Sequence, residues 1–202
     1  MVVNRMPALP YWNHNTAYYP WIKRRLLGCR RVLDVGCGDG TLVRYLQEEG
    51  RRIVGIDISP TMVARAEADL HVSEIRFALC PFAAYPEDKS LDAVVFVASL
   101  HHMEMPASLE KAKRLLAEGG SLLVVGLASP SSLGDHILDC LRVIPARFGS
   151  RLHRMRSSEE LGIPTSGIYP EMREIRESVR RLLPGAKLRR GLYWRYLLSW
   201  KK

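Results

Sequence analysis

From Arg31 onward the chain alternates short apolar runs with stretches in which apolar residues recur every three or four positions. That rhythm predicts strands joined by crossover helices, the pattern of a parallel sheet. The predicted strands are Arg31–Val35, Arg52–Ile56 ending on Asp57, Glu74–Leu79, Leu91–Val97 and Ser121–Val125. Leu91–Val97 is almost wholly apolar, as a strand buried on both faces must be. Between them the spacing predicts a helix over Thr41–Gln47 closed by Gly50, one opened by Ser59-Pro60 and running to Leu70, and one from Pro106 stopped at Gly119-Gly120. After Gly126 the rhythm breaks. One helix is expected around His136–Leu141 and an amphipathic one over Met172–Leu183; Lys187–Arg190 and Trp194–Trp200 then pair as a closing hairpin. The expected fold is α/β: a doubly wound, seven-stranded, mostly parallel sheet with an antiparallel C-terminal hairpin strand. It fills one domain over residues 1–202, with 1–30 an N-terminal lid and helix, 31–126 the ligand-binding core, 127–170 a cap over the substrate, and 171–202 the last helix and hairpin.

Composition changes this picture little. The chain has 202 residues, 47% of them hydrophobic and 25% charged, ordinary values for a globular protein. No apolar run approaches the roughly 20 residues that cross a bilayer, and the first residues lack the charged start and apolar core of a signal peptide, so the cytoplasm is the expected compartment. Four cysteines, Cys29, Cys37, Cys80 and Cys140, show no paired spacing that would suggest a zinc site or a disulfide framework. Charge is more informative. Residues 1–125 hold 15 Lys and Arg against 14 Asp and Glu, whereas residues 126–202 hold 15 against 7. The excess sits in the last third, where it suits nucleic acid, an anionic membrane surface, an acidic substrate, or simply a solvated arginine-rich face.

The chemistry starts at the turn after the first strand, Gly36-Cys37-Gly38-Asp39-Gly40. Glycines between a strand and a helix let backbone approach a ligand closely, which favours nucleotide-like cofactors. Three details narrow the choice. A dinucleotide fingerprint wants its third glycine at position 41, which is Thr41. Asp34, at the carboxyl end of the strand, would repel a pyrophosphate but suits a cationic ligand bearing an amino group. Asp57, 21 residues after Gly36, ends the second strand where a carboxylate can accept both ribose hydroxyls. A positively charged nucleoside without phosphates fits all three, and S-adenosylmethionine is such a molecule.

The run Val32-Leu33-Asp34-Val35-Gly36-Cys37-Gly38-Asp39-Gly40 resembles the first motif of class I S-adenosylmethionine-dependent methyltransferases, and Gly55-Ile56-Asp57-Ile58-Ser59 resembles their ribose-binding strand end. Ser99-Leu100-His101-His102-Met103, followed by Leu115-Leu116-Ala117-Glu118-Gly119-Gly120, resembles the small-molecule branch that includes quinone-biosynthesis methyltransferases. The resemblance covers residues 31 to 126. It implies S-adenosylmethionine as methyl donor, with Asp34 orienting its amino end, the backbone of Gly36, Cys37 and Gly38 approaching that end, Asp57 on the ribose, Ile58 and Met62 against the adenine, and Val97 beside the methyl group. One departure stands out. Where the family places an aspartate for the adenine amino group, this chain has Cys80, followed by Pro81-Phe82. Cys80 is a poor acceptor, which leaves adenine to backbone contacts and to stacking on Phe82.

Methyl transfer is an in-line displacement at an activated sulfonium, so much of its rate comes from placing the nucleophile and excluding water. A general base helps only when the acceptor must lose a proton, and a histidine suits that task. His101 is the candidate, because the resemblance implies that His102 packs under the sheet, and adjacent residues are not expected to point the same way. Tyr18, or its neighbour Tyr19, is a second candidate for the acceptor pocket. Tyr11, Trp12 and His14 are expected in the lid, and Trp21 in packing. A metal site built from His101, His102 and Glu104 lacks a further carboxylate, so none is expected. The segment after strand four has no Asn/Asp-Pro-Pro-aromatic motif to grip an exocyclic base amine, and Cys80-Pro81 lies on the wrong strand to attack a pyrimidine. The leading expectation is therefore transfer of a methyl group to a small, lipophilic or anionic metabolite. Arg142, Arg147, Arg151, Arg154 and Arg156 suit a phosphate or carboxylate, or peripheral contact with an anionic membrane; Arg189, Arg190 and Arg195 read as outward charges on edge strands. Methylation of RNA through the basic last third, and a regulatory module that binds S-adenosylmethionine without catalysis, stay open at this point.

Overall fold

A computed structural model of the chain describes residues 11–68, 70, 72–129, 169–192 and 194–202. Seven strands form one sheet: β1 (Arg31–Val35), β2 (Arg52–Asp57), β3 (Ile75–Leu79), β4 (Leu91–Val97), β5 (Leu116–Leu127), β6 (Lys187–Arg190) and β7 (Arg195–Lys201). They lie in the order β3-β2-β1-β4-β5-β7-β6. The first five are mutually parallel, and β7 runs antiparallel to both β5 and β6. The period of two along each strand divides the core. Val94 and Phe96 of β4, with Leu122 and Val124 of β5, face α4 (Met105–Leu115) and α5 (Met172–Leu182). Ala93 and Val95, with Leu123 and Val125, face α1 (Tyr19–Arg25), α2 (Thr41–Tyr45) and α3 (Pro60–Ala68). The four β4 residues have no exposed surface, and sealing a side chain of this size from water stabilises the fold by about 1.5–3 kcal/mol for the larger ones.

The chain leaves β1 toward β2 and β3 on one side, and returns to β4 and β5 on the other. The loops after β1 and β4 therefore diverge, opening a crevice at the carboxyl ends of these strands. Helix ends are fixed by side chains. Glu104 accepts the Ala107 N–H (3.1 Å) at the start of α4, and Glu171 with Glu174 forms a reciprocal capping box on α5. A bridge between Ser129 and Glu171, with Met172 N donating to the Ser129 carbonyl (3.1 Å), ties the start of α5 to the end of β5.

Some boundaries differ from those the sequence suggests. The helix expected to reach Gly119 ends at Leu115, because Leu116 already pairs with Leu91; Ser121 pairs next, with Ala93, so the intervening residues bulge from the ladder. Arg195 is not an outward charge on an edge strand: β7 lies inside the sheet, and the guanidinium bonds Asn15 across 180 residues. The helix expected at His136–Leu141, the five arginines from Arg142 to Arg156, and Cys140 lie outside the described residues.

Candidate active site

The crevice holds a cleft of about 900 Å³. Its floor is the turn after β1. Gly36 has φ +72°, and a Cβ there would lie 2.4 Å from the Ser99 Cβ, so only glycine lets the ends of β1 and β4 meet. The Ser99 hydroxyl donates to the Val35 carbonyl and holds that contact. Gly38 also has positive φ (+55°), but no atom lies within 4 Å of where its Cβ would stand, so backbone faces open cleft. Behind it, the Thr41 hydroxyl and N–H both donate to Asp39 Oδ1 (2.7 and 3.1 Å), and Arg44 ties the Asp39 carbonyl to that of Ala66. Thr41, which replaces the third glycine of a dinucleotide turn, is thus part of the turn's own scaffold.

Two carboxylates dominate the electrostatics. Asp57 accepts the Gly38 N–H on one oxygen and the Ser59 N–H on the other, both at 2.9 Å. Each oxygen keeps a lone pair for a further donor. Asp34 is 1% exposed, and among the described residues nothing hydrogen-bonds or ion-pairs with its carboxylate. Burial, with the Asp57 charge adding to it, pushes its carboxyl up to about 7. Burial and the same two carboxylates raise the Cys37 thiol, which keeps it protonated and unreactive.

All eleven residues expected at the cofactor line this cleft: Asp34, Gly36, Cys37, Gly38, Asp57, Ile58, Met62, Cys80, Pro81, Phe82 and Val97. Ile58 is 71% exposed and presents an apolar face. Phe82, expected as a stacking platform, is buried edge-on against Phe96 with the Lys111 ammonium 5.7 Å from its ring centroid, so most of its surface is committed to the core. Cys80 uses its N–H on the Asp57 carbonyl (2.9 Å) and keeps its thiol at the cleft wall. Beyond Phe82 the cleft runs to Lys111 and to a bidentate Arg114–Glu87 pair (2.8 and 3.0 Å).

The two residues expected to act on the acceptor lie elsewhere. Tyr18 does not line the cleft; its hydroxyl donates to the Leu192 carbonyl (2.8 Å) in the β6–β7 turn, because the short 3₁₀ turn Thr16–Tyr18 directs it there. His102, rather than His101, lines the cleft. Both sit in the 3₁₀ turn Leu100–His102 with rings 4.0 Å apart, so adjacent histidines here lie against one another. The His101 ring packs on Tyr169 (5.2 Å), its Nδ1 is buried without a partner among the described residues, and burial, with His102 and Arg195 following, lowers its pKa to about 4. Ala98, at the end of β4, holds φ +51° at the cleft wall, a conformation a non-glycine residue adopts only under surrounding constraint.

Sequence reasoning placed Tyr11 in the lid and Tyr18 or Tyr19 at the acceptor pocket; Tyr11 and Tyr19 line the cleft, and so do Asn13 and Asn15, which it missed. The Tyr11 hydroxyl reaches Asp39 Oδ2 (3.1 Å), and its pKa is pushed up to about 12, first by burial. Trp12 and His14 pack edge to face (5.9 Å) away from the cleft lining, and Trp21 is buried. The missed residues carry no motif; only the dense aromatic stretch from Tyr11 to Trp21 marks their neighbourhood.

Residues 32–120 match the family model described as a methyltransferase domain. An uncharacterized methyltransferase of Mycobacterium tuberculosis is 33% identical over 194 residues, 94% of this chain and 96% of that one. The chain belongs to the class I S-adenosylmethionine-dependent methyltransferases. This methyltransferase is also 28% identical to the ubiquinone biosynthesis O-methyltransferase of Acinetobacter baumannii over 130 residues, 56% of this chain and 55% of that one. Its fold matches magnesium protoporphyrin IX methyltransferase from Synechocystis PCC 6803, crystallised with S-adenosylhomocysteine, at TM-score 0.62 and 20% identity, covering 94% of this chain and 83% of that one. The methyltransferase's own residues fit S-adenosylmethionine. A buried carboxylate without a partner asks for a cation, and Asp57 has lone pairs left for hydroxyl donors. Among the described residues no three His, Cys, Asp or Glu side chains gather as a metal ion would need.

Proposed function

We propose that this methyltransferase moves a methyl group from S-adenosylmethionine to a small-molecule acceptor. The observation that carries this reading is the lining of the cleft: the Gly36–Gly38 backbone shares it with Val97, Ala98, Met103, Asn13, Asn15 and His102, apolar walls with a few polar groups. The cofactor supplies an activated sulfonium methyl group. Asp34 pairs with its cationic end, Gly36, Cys37 and Gly38 bring backbone beside it, and Asp57 accepts ribose hydroxyls. Ile58 and Met62 cover the adenine, with Cys80, Pro81 and Phe82 walling its edge. Val97 and Ala98 hold the floor against which the acceptor is placed, and His102 takes the place expected of His101. Placement and exclusion of water then provide much of the rate. The ubiquinone-biosynthesis and magnesium protoporphyrin IX relatives, both named for small-molecule chemistry, support a small acceptor.

Incubating the protein with methyl-tritiated S-adenosylmethionine and a bacterial extract tests the reading. Label is expected in the small-molecule fraction, unaffected by ribonuclease treatment of the extract. Label found only in RNA or protein would overturn it.

A further inference from the structure

Two asparagines in the segment before α1 line the cleft, and both have their amide oxygens occupied from behind. Asn13 Oδ1 accepts the N–H groups of Asn15 and Thr16, each at 2.9 Å. Asn15 Oδ1 accepts Nε and Nη2 of Arg195, at 3.1 and 2.7 Å. A guanidinium has five donors and no acceptor, so the atom facing Arg195 must be the amide oxygen. The orientation of Asn15 is therefore set by chemistry, and its NH₂ is the group left for the cleft. The backbone N–H groups fix Asn13 by the same logic. Among the described residues neither Nδ2 makes a hydrogen bond.

Charge adds direction. The Arg195 guanidinium stands behind Asn15 in a desolvated setting, where burial lowers its pKa to about 10 and it stays cationic at neutral pH. Its field reaches the neighbouring imidazoles: the pKa of His14 falls through burial first and Arg195 second, and that of His101 through burial, His102 and Arg195. Around Asn15 the cleft wall therefore has an amide donor backed by a cation.

We propose that Asn13 and Asn15, the latter oriented by Arg195, form a donor clamp for an anionic oxygen group, a carboxylate or phosphate, on the methyl acceptor. This rests on the reading of the cleft as a methyl-transfer site. Asn15 touches the acceptor; Arg195 is a positioning residue acting through it. Two stretches of chain almost at opposite ends of the sequence thereby build one recognition group, and it is complete only when β7 has joined the sheet.

The test uses the full chain saturated with S-adenosylhomocysteine, with 4-hydroxybenzoate, phenyl phosphate and neutral 4-hydroxybenzamide as probes in ligand-observed NMR titrations. At least one anion is expected to bind about tenfold more tightly than the amide, the size of one charge-assisted hydrogen bond. Which anion prevails tells carboxylate from phosphate. Asn15→Leu and Arg195→Met should each bring that ratio close to one, and Arg195→Lys should restore part of it. A merely structural role for Arg195 would weaken all three probes together and leave the ratio unchanged, which overturns the clamp, as does equal binding or no binding of the three probes to the wild type. Affinity for S-adenosylhomocysteine should be the same in Asn15→Leu as in the wild type. A tenfold loss there would assign the amide to the cofactor's own carboxylate and overturn the proposal. Failure of the wild type to bind S-adenosylhomocysteine at all would instead sink the methyl-transfer reading on which it rests.

Discussion

Asp34 is a buried carboxyl group whose structural cost a cation would offset in the proposed complex. Burial, then the Asp57 charge, pushes its carboxyl from an ordinary 3.8 up to about 7. The folded state therefore holds a proton that the unfolded chain releases near pH 4, and Asp34 makes the ligand-free fold progressively less stable as pH rises from about 4 to about 7, with the loss constant above that. Urea unfolding of the wild type and Asp34→Asn at pH 5 and pH 8 measures this. The variant is expected to gain on the wild type between the two values, and a difference independent of pH would contradict the assignment. The position of Asp34 before the glycine turn was legible in the sequence, because strand polarity alone puts it at the cleft. That nothing among the described residues pairs with its carboxylate is a matter of three-dimensional packing. The same holds for the histidines: His101-His102 could be read, but which of the two reaches the cleft depends on how a 3₁₀ turn rotates its side chains, and adjacency gives no hint of that.

Elements reproduce the sequence pattern most faithfully where the apolar period is strongest. β1, β2, β3 and β4 fall within a residue of their apolar runs, and Pro60 and Met172 begin α3 and α5 as expected. The α4–β5 junction was misplaced because Leu116-Ala117 continues a helical pattern while β4 offers Leu116 a strand partner. Tertiary pairing decides such cases. A polar residue also ties elements together with no motif to announce it. Arg51, 3% exposed, donates to the carbonyls of Leu26 after α1, Cys29 before β1 and Leu46 after α2 (2.9, 2.9 and 2.8 Å), and pairs with Glu48. Arg51→Met keeps the aliphatic stem but leaves three helix-end and loop carbonyls without their donor. It should lower stability by about 3 kcal/mol, seen as a reduced urea midpoint. A loss below about 0.5 kcal/mol, the size of an ordinary surface substitution, would show that the carbonyls find other donors.

For the whole molecule, the sheet order carries the function. Strands β1 and β4 part at the crevice, and the turn, the two aspartates and the β4 end converge there because the topology leaves them nowhere else to meet. The glycine turn with Asp34 and Asp57 was enough to anticipate the cofactor's identity. The acceptor side was legible only in part: the aromatic stretch marked the segment before α1, but its tie to the first residue of β7 is a contact across the whole chain that no local spacing encodes. The basic last third also divides once folded: Arg195 serves the interior, whereas Arg176, Arg180 and Arg181 ride on α5. Asp57 is where the account can be struck most directly, since it holds the Gly38 backbone and faces the ribose in the proposed complex. Isothermal titration of S-adenosylhomocysteine into the wild type and Asp57→Ala, with circular dichroism confirming that both are folded, should give one site in the wild type and affinity at least about 100-fold weaker in the variant, the loss of two charge-assisted hydrogen bonds. Equal affinity in the two proteins would contradict the account.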